Sequence, residues 1–171
     1  MTSPSLAVRG RPRWAAFGLI VAVVVGLDQL TKSWIAATLA PGESLAVVDD
    51  IVRLVHSQNS GALFGLLPDS APAFAAISIA VVGAIVWYQG RAGRSRYVTV
   101  TLGLLLGGAL GNLADRIRLG YVIDFVDAGL GSLRWWTFNV ADASISLAIV
   151  LLFLASVRPS LAATGPAASD A

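Results

Sequence analysis

The chain has 171 residues, 56% of them hydrophobic and only 13% charged, with a mean hydropathy of +0.76. Soluble domains carry about a quarter charged residues, so half that complement cannot coat a globule of this size, and the chain reads as a membrane protein. The net charge of +2 rests on arginines grouped in blocks without interleaved aromatics, which excludes a nucleic-acid surface. With no cysteine and a single histidine, His56, there is no disulfide, thiolate or His/Cys zinc chemistry, so catalysis falls to carboxylates, hydroxyls, amides or the one lysine.

Four stretches have the length and apolarity of transmembrane helices. The first runs from Trp14 through the charged positions Asp28 and Lys32 to about Leu39. The others are Ser70 to Gly90, Tyr97 to Ala114 and Ala143 to Val157. At about 1.5 Å per residue, 18 residues cover about 27 Å, close to the thickness of a hydrocarbon core. Arg9, Arg11 and Arg13 ahead of an apolar run also suit a secretory signal, but the run continues past a charged pair, and the small-residue candidate for cleavage, Thr38-Leu39-Ala40, precedes Pro41. It is read as a helix. Arg9, Arg11, Arg13, Arg91, Arg94, Arg96 and Arg158 fall on one side, which the positive-inside rule makes cytoplasmic together with both termini. Residues 1–13 form a cytoplasmic arm, 14–157 the membrane domain and 158–171 a disordered cytoplasmic tail rich in Ala, Ser and Pro.

The two outer connections, about 40–69 and 115–140, hold seven of the ten acids. In the first, Ile51 to His56 is a strand candidate, Asn59-Ser60-Gly61 a turn, and Ala62 to Leu67 a short interfacial helix ended by Pro68. In the second, Tyr121 to Val126 is another strand, so a small β platform is expected above the bundle. The expected fold is an all-α membrane protein of four transmembrane helices carrying that platform and the short interfacial helix.

On the third span Gly103, Gly107 and Gly111, with Gly108 beside them, permit close helix approach in lipid. Asn112, Asp115 and Arg116 follow at i, i+3 and i+4 on one face, which suits either a helix-end ion pair or a polar site at the bundle mouth. Asp124 stands alone in the apolar Val122-Ile123-Asp124-Phe125-Val126. Asp142 opens the fourth span three residues after Asn139, an arrangement that also describes helix capping. Asp28 and Lys32, at i and i+4, read as an intrahelical pair that serves structure.

Asp28-Gln29-Leu30-Thr31-Lys32, Asn59-Ser60-Gly61-Ala62-Leu63-Phe64-Gly65, Gly107 to Arg116, Val122-Ile123-Asp124-Phe125 and Phe138-Asn139-Val140-Ala141-Asp142 occur in this order, and together they resemble lipoprotein signal peptidase, the type II signal peptidase of bacteria. The resemblance covers about residues 14–157. It implies a four-helix membrane aspartic endopeptidase that cuts diacylglyceryl-modified prolipoproteins before the lipidated cysteine. Asp124 and Asp142 match the catalytic pair, Asn59, Asn112, Arg116 and Asn139 the polar residues around it, and Asp28 and Lys32 the first-helix motif. The implied setting is the bacterial inner membrane, with the site at its outer face. The implied partners are prolipoprotein substrates and membrane lipid, the chain is expected to be a monomer, and no metal or other cofactor is expected. The chemistry is self-consistent, because two adjacent carboxylates share one proton and can serve as base and acid in amide hydrolysis. Competing readings are a Ser/Lys hydrolase using Lys32 with Ser57 or Ser60, weakened by Asp28 beside the amine, and a proton or solute carrier, weakened by acids that cluster at one interface. A carboxylate-bound magnesium enzyme lacks an acid triplet at helical spacing.

Overall fold

The computed structural model describes residues 11–60 and 71–163. The elements in order are α1 (Trp14–Thr38), β1 (Ser44–Val48), β2 (Val52–Asn59), α2 (Ala71–Ala92), α3 (Arg96–Leu119), β3 (Val122–Leu130), β4 (Leu133–Arg134) and α4 (Val140–Val157). α1, α3 and α4 are each long and apolar enough to cross a membrane, and within α2 the stretch Ala76–Ala92 is a shorter apolar helix. α3 packs against each of the other three helices, which explains why it carries the glycines.

The bundle is built in the sense that lipid demands. Leu19, Val23, Leu30, Ile77, Ile149 and Phe153 are exposed around its outside, while Asp28, Lys32, Asp115 and Asn139 are each at most 2% exposed within it. Close packing replaces hydrophobic burial as the cohesive force. A Cβ placed on Gly107 would lie 2.6 Å from the Val24 Cβ, and one on Gly108 would lie 2.5 Å from the Ala141 carbonyl oxygen. The expected glycine stripe is therefore the contact of α3 with α1 and α4. α3 ends where Gly120 adopts φ +82 and its amide donates to the Arg116 carbonyl, a left-handed cap that turns the chain directly into β3.

The four strands form one antiparallel sheet in the order β1-β2-β3-β4. Ser57 pairs with Asp124 and Leu54 with Val126, so two β2 residues oppose Phe125 across a bulge. With its β2 partner displaced, the Phe125 amide donates instead to the Phe138 carbonyl at 3.0 Å, and the Val126 amide to the same oxygen at 2.8 Å. This moors the segment leading into α4 alongside β3 and brings Asn139 beside Asp124. His56 Nδ1 donates to the Leu39 carbonyl at 2.8 Å, tying β2 to the end of α1.

Several expectations need correction. Asn59 is the last residue of β2 rather than part of a turn, β3 runs on to Leu130, and β1 and β4 were not expected. Pro159–Leu161 forms a 3-10 turn within the segment expected to be disordered. The interfacial helix at 62–67 lies outside the described residues, as do 1–10 and 164–171.

Candidate active site

A cleft of about 620 Å³ opens where the sheet meets the ends of α3 and α4, and Asp124, Asp142, Asn59, Asn112 and Arg116 all line it. β3 delivers Asp124, the start of α4 delivers Asp142, α3 delivers Asn112 and Arg116, and the end of β2 delivers Asn59. Trp135, Trp136, Phe138 and Val122 give the cleft an apolar wall.

Each carboxylate is held by amide donors. Asp124 accepts from Asn139 Nδ2 at 2.7 Å and from Asn59 Nδ2 at 2.9 Å. Asp142 accepts from Asn112 Nδ2 at 2.7 Å and from the Asn139 backbone amide at 3.2 Å. Asn139 Oδ1 in turn accepts from the Asp142 amide at 2.9 Å, which completes a reciprocal capping box. The capping reading of Asp142 is thus correct, and it holds together with the cleft reading: one side chain caps α4 and faces the cavity. Asn139 touches both acids and locks their relative placement.

Burial, reinforced by the charge of Asp142, pushes the Asp124 carboxyl up to about 6 from its ordinary 3.8, while the Asn59 and Asn139 amides and the Lys32 ammonium pull the other way. A carboxyl so placed exchanges a proton in the neutral range, as a general acid or base requires. Arg116 lies within the fields of Asp142, Asp124 and Asp115, and its Nη1 donates to the Asn112 carbonyl at 3.3 Å.

Behind the cleft lies a second polar layer only partly anticipated. Lys32 does pair with Asp28, at 2.8 Å, but its Nζ also contacts Asp115 Oδ2 at 2.9 Å and Asn112 Oδ1 at 3.0 Å. Asp115 is therefore no helix-end partner of an arginine; it is 2% exposed and also accepts from Gln29 Nε2 at 3.0 Å and the Ile123 amide at 3.2 Å. Asp28 Oδ1 accepts from the Ala141 amide at 2.9 Å, placing a carboxylate at the positive end of α4. The Asn112 side chain is consequently fixed in one sense. Its oxygen faces Lys32 and Asn139 Nδ2, leaving its amine to face Asp142.

Gln29 is a site residue that the sequence reading passed over, although it stands inside the quoted Asp28 to Lys32 motif. It bridges Asp28, Asp115 and the Gly111 carbonyl, and accepts from Arg118 at 2.9 Å. Trp135 and Trp136, 67% and 54% exposed beside the cleft, were also missed; paired exposed indoles were the available signal.

A family model described as signal peptidase (SPase) II matches residues 20–158. The chain is 38% identical over 136 residues to a lipoprotein signal peptidase of Halothermothrix orenii, covering 80% of this chain and 91% of that relative. It is 39% identical over 150 residues to the protein of the same name from Oleidesulfovibrio alaskensis, covering 85% and 96%. A solved structure described as a bacterial membrane enzyme, at 2.3 Å resolution, matches with a TM-score of 0.81 and 29% identity over 93% of this chain and 98% of that chain. A second, at 1.9 Å, matches with a TM-score of 0.79 and 32% identity over 86% and 96%. The fold, the order of the motifs and these likenesses agree: the chain belongs to the signal peptidase II family.

Proposed function

We propose that Asp124 and Asp142 are the catalytic pair of a membrane aspartic endopeptidase that removes signal peptides from prolipoproteins. The observation that carries this reading is the bridging by Asn139, whose side-chain amide holds Asp124 while its backbone amide and side-chain oxygen hold Asp142. Two carboxylates held in one partly dry cleft share a proton. The ionised member takes a proton from water, whose oxygen attacks the scissile carbonyl carbon. The protonated member gives its proton to the carbonyl oxygen, and on collapse of the tetrahedral intermediate the departing amine receives a proton from the pair. Asn59, Asn112 and Asn139 orient the acids. Arg116, a fixed cation on the cleft wall, suits a substrate carbonyl or a lipid ester.

The substrate reading is a diacylglyceryl-modified prolipoprotein cut before its lipidated cysteine. An apolar wall including Trp135, Trp136 and Phe138 beside charged groups supports a substrate that is part lipid and part peptide. α2, with 22 residues, is long enough to be the fourth span, at about 33 Å. The arginine blocks support cytoplasmic termini and a cleft at the outer face of the inner membrane. A monomer is the form proposed here, supported by a described cleft lining and polar layer that all come from one chain.

The test uses purified full-length protein in detergent and two peptides of one prolipoprotein sequence, with and without the diacylglyceryl group. Cleavage of the lipidated peptide only is expected. Equal cleavage of both would remove the lipid from the recognition, and cleavage of neither would overturn the reading.

A further inference from the structure

At the opposite end of the bundle a separate cavity of about 390 Å³ is lined by Arg13, Arg94, Ser95, Arg96, Tyr97 and Leu161, among others. Three guanidinium groups meet there, and none of the three forms an ion pair among the described residues. Their placement is fixed rather than accidental. The Arg13 amide donates to the Gly93 carbonyl at 2.8 Å and Arg13 Nε to the Arg94 carbonyl at 3.1 Å, stitching the start of α1 to the α2–α3 turn. The Arg94 Nε is buried and has no hydrogen-bond partner, an orphan charged donor that folding normally avoids. Ser95, 5% exposed, occupies the N-cap of α3 without making a cap hydrogen bond, and the first turn of that helix has no acid. The cavity therefore gathers three cations, an unused donor and hydroxyl, and the positive end of a 24-residue helix, with no anion among the described residues lining it.

We propose that this cavity binds the phosphate of an anionic phospholipid headgroup. A phosphodiester supplies the missing charge, and its oxygens meet planar guanidinium donors in pairs. The depth of the cavity favours a lipid over a soluble anion. Trp14, Trp87 and Tyr88 are 46%, 58% and 47% exposed near the same end of the bundle, with Arg91 stacked 4.0 Å over the Trp87 ring, the pattern of an interfacial aromatic belt at headgroup level. Basic pockets between helix ends at that depth are where acidic headgroups seat. The site lies away from the catalytic cleft and does not rest on the reading of the acids.

The experiment is a thermal-melting titration of the full-length protein in non-ionic detergent at about 0.3 M salt, where diffuse attraction is screened. The probes are dioleoyl phosphatidylglycerol, dioleoyl phosphatidylcholine and inorganic phosphate. The expected result is a saturable rise in melting temperature with phosphatidylglycerol alone. Arg94→Gln and Arg96→Gln should each weaken its apparent affinity about tenfold or more, as loss of a charge-assisted contact does, while Arg158→Gln, outside the cavity, should not. Arg96 is exposed, so that variant keeps the test open if Arg94→Gln does not fold. Equal rises with phosphatidylcholine, an equal rise with phosphate alone, equal weakening by Arg158→Gln, or no response to any probe because the chain's own acids fill the cavity would each overturn the proposal.

Discussion

Replacing Lys32 by methionine removes the ammonium while keeping side-chain length, and it tests whether the layer behind the cleft acts on the site. Lys32 is 2% exposed and contacts Asp28, Asp115 and Asn112 at 2.8, 2.9 and 3.0 Å. Its loss leaves two buried carboxylates without their shared cation. Breaking a buried pair by removing one partner costs about 3–5 kcal/mol, a large part of the roughly 5–15 kcal/mol that holds a domain together. A second effect is separable. Asn112 Oδ1 keeps only Asn139 Nδ2, at 3.1 Å, so the amide that presents Nδ2 to Asp142 is free to turn, and misplacement by about 1 Å lowers turnover about a hundredfold. Adding Asp115→Asn to Lys32→Met removes one bared charge and should restore much of the melting temperature. It should leave turnover low, because Asn112 still lacks its donor. Thermal melting and single-turnover cleavage, measured on both singles and the double, read the two effects apart. If Lys32→Met melted like the wild type, the cost of baring the two carboxylates would be refuted, and if the double recovered activity along with stability, the coupling through Asn112 would be.

Asn59→Ala deletes an amide that stabilises the ionised Asp124, so the pH at which Asp124 ionises should move above about 6, and the acidic limb of the pH–rate profile should shift upward with it. Because the folded value of Asp124 is raised above 3.8, the stability it contributes is complete at pH below about 4 and is lost as pH rises through about 6. Wild type should therefore lose up to about 3 kcal/mol over that window, and Asp124→Asn should abolish this component. Gly107→Leu should fail to fold or melt far lower, since even a Cβ there would meet Val24 at 2.6 Å, whereas Gly83→Leu, with nothing within 4 Å of its Cβ, should be tolerated; the melting curves decide. Cysteines at Ser57 and Ala128 should react with an impermeant reagent on intact cells and one at the exposed Ser160 should not, and labelling of the latter would invert the proposed orientation.

The helices were legible because lipid makes the outside of each span uniformly apolar, and a run without charges needs no tertiary knowledge to be seen. Gly103, Gly107 and Gly111 were legible for a related reason: in lipid a row of missing side chains is itself the packing signal. Asp124 and Asp142 stood out as acids in apolar settings. Asp115 stayed between two readings because helical spacing relates residues only within one helix, and its closeness to Arg116 in sequence said nothing about Lys32 approaching from α1 at 2.9 Å. Lys32 was under-read in the same way. β1 and β4 escaped notice because Ser44–Val48 is exposed throughout and Leu133–Arg134 has two residues, so neither shows the alternation that burial on one face imposes. The bulge that frees Phe125 to bind Phe138 depends on pairing register, which no local pattern contains.

The central claim is that Asp124 and Asp142 act as one proton-sharing unit, and turnover of Asp142→Asn tests it most directly. The asparagine oxygen can still accept from the Asn139 amide, so the cap of α4 survives, while its amine meets Asn112 Nδ2 and loses one hydrogen bond. Melting should fall by the equivalent of about 1–3 kcal/mol, leaving a folded enzyme. Cleavage should fall by a factor of about 10²–10⁴ or more, and adding Asp124→Asn should lower it little further, because a unit already disabled cannot be lost twice. A folded Asp142→Asn enzyme that cleaves within a few-fold of wild type would show that Asp142 only caps the helix, and would contradict the account.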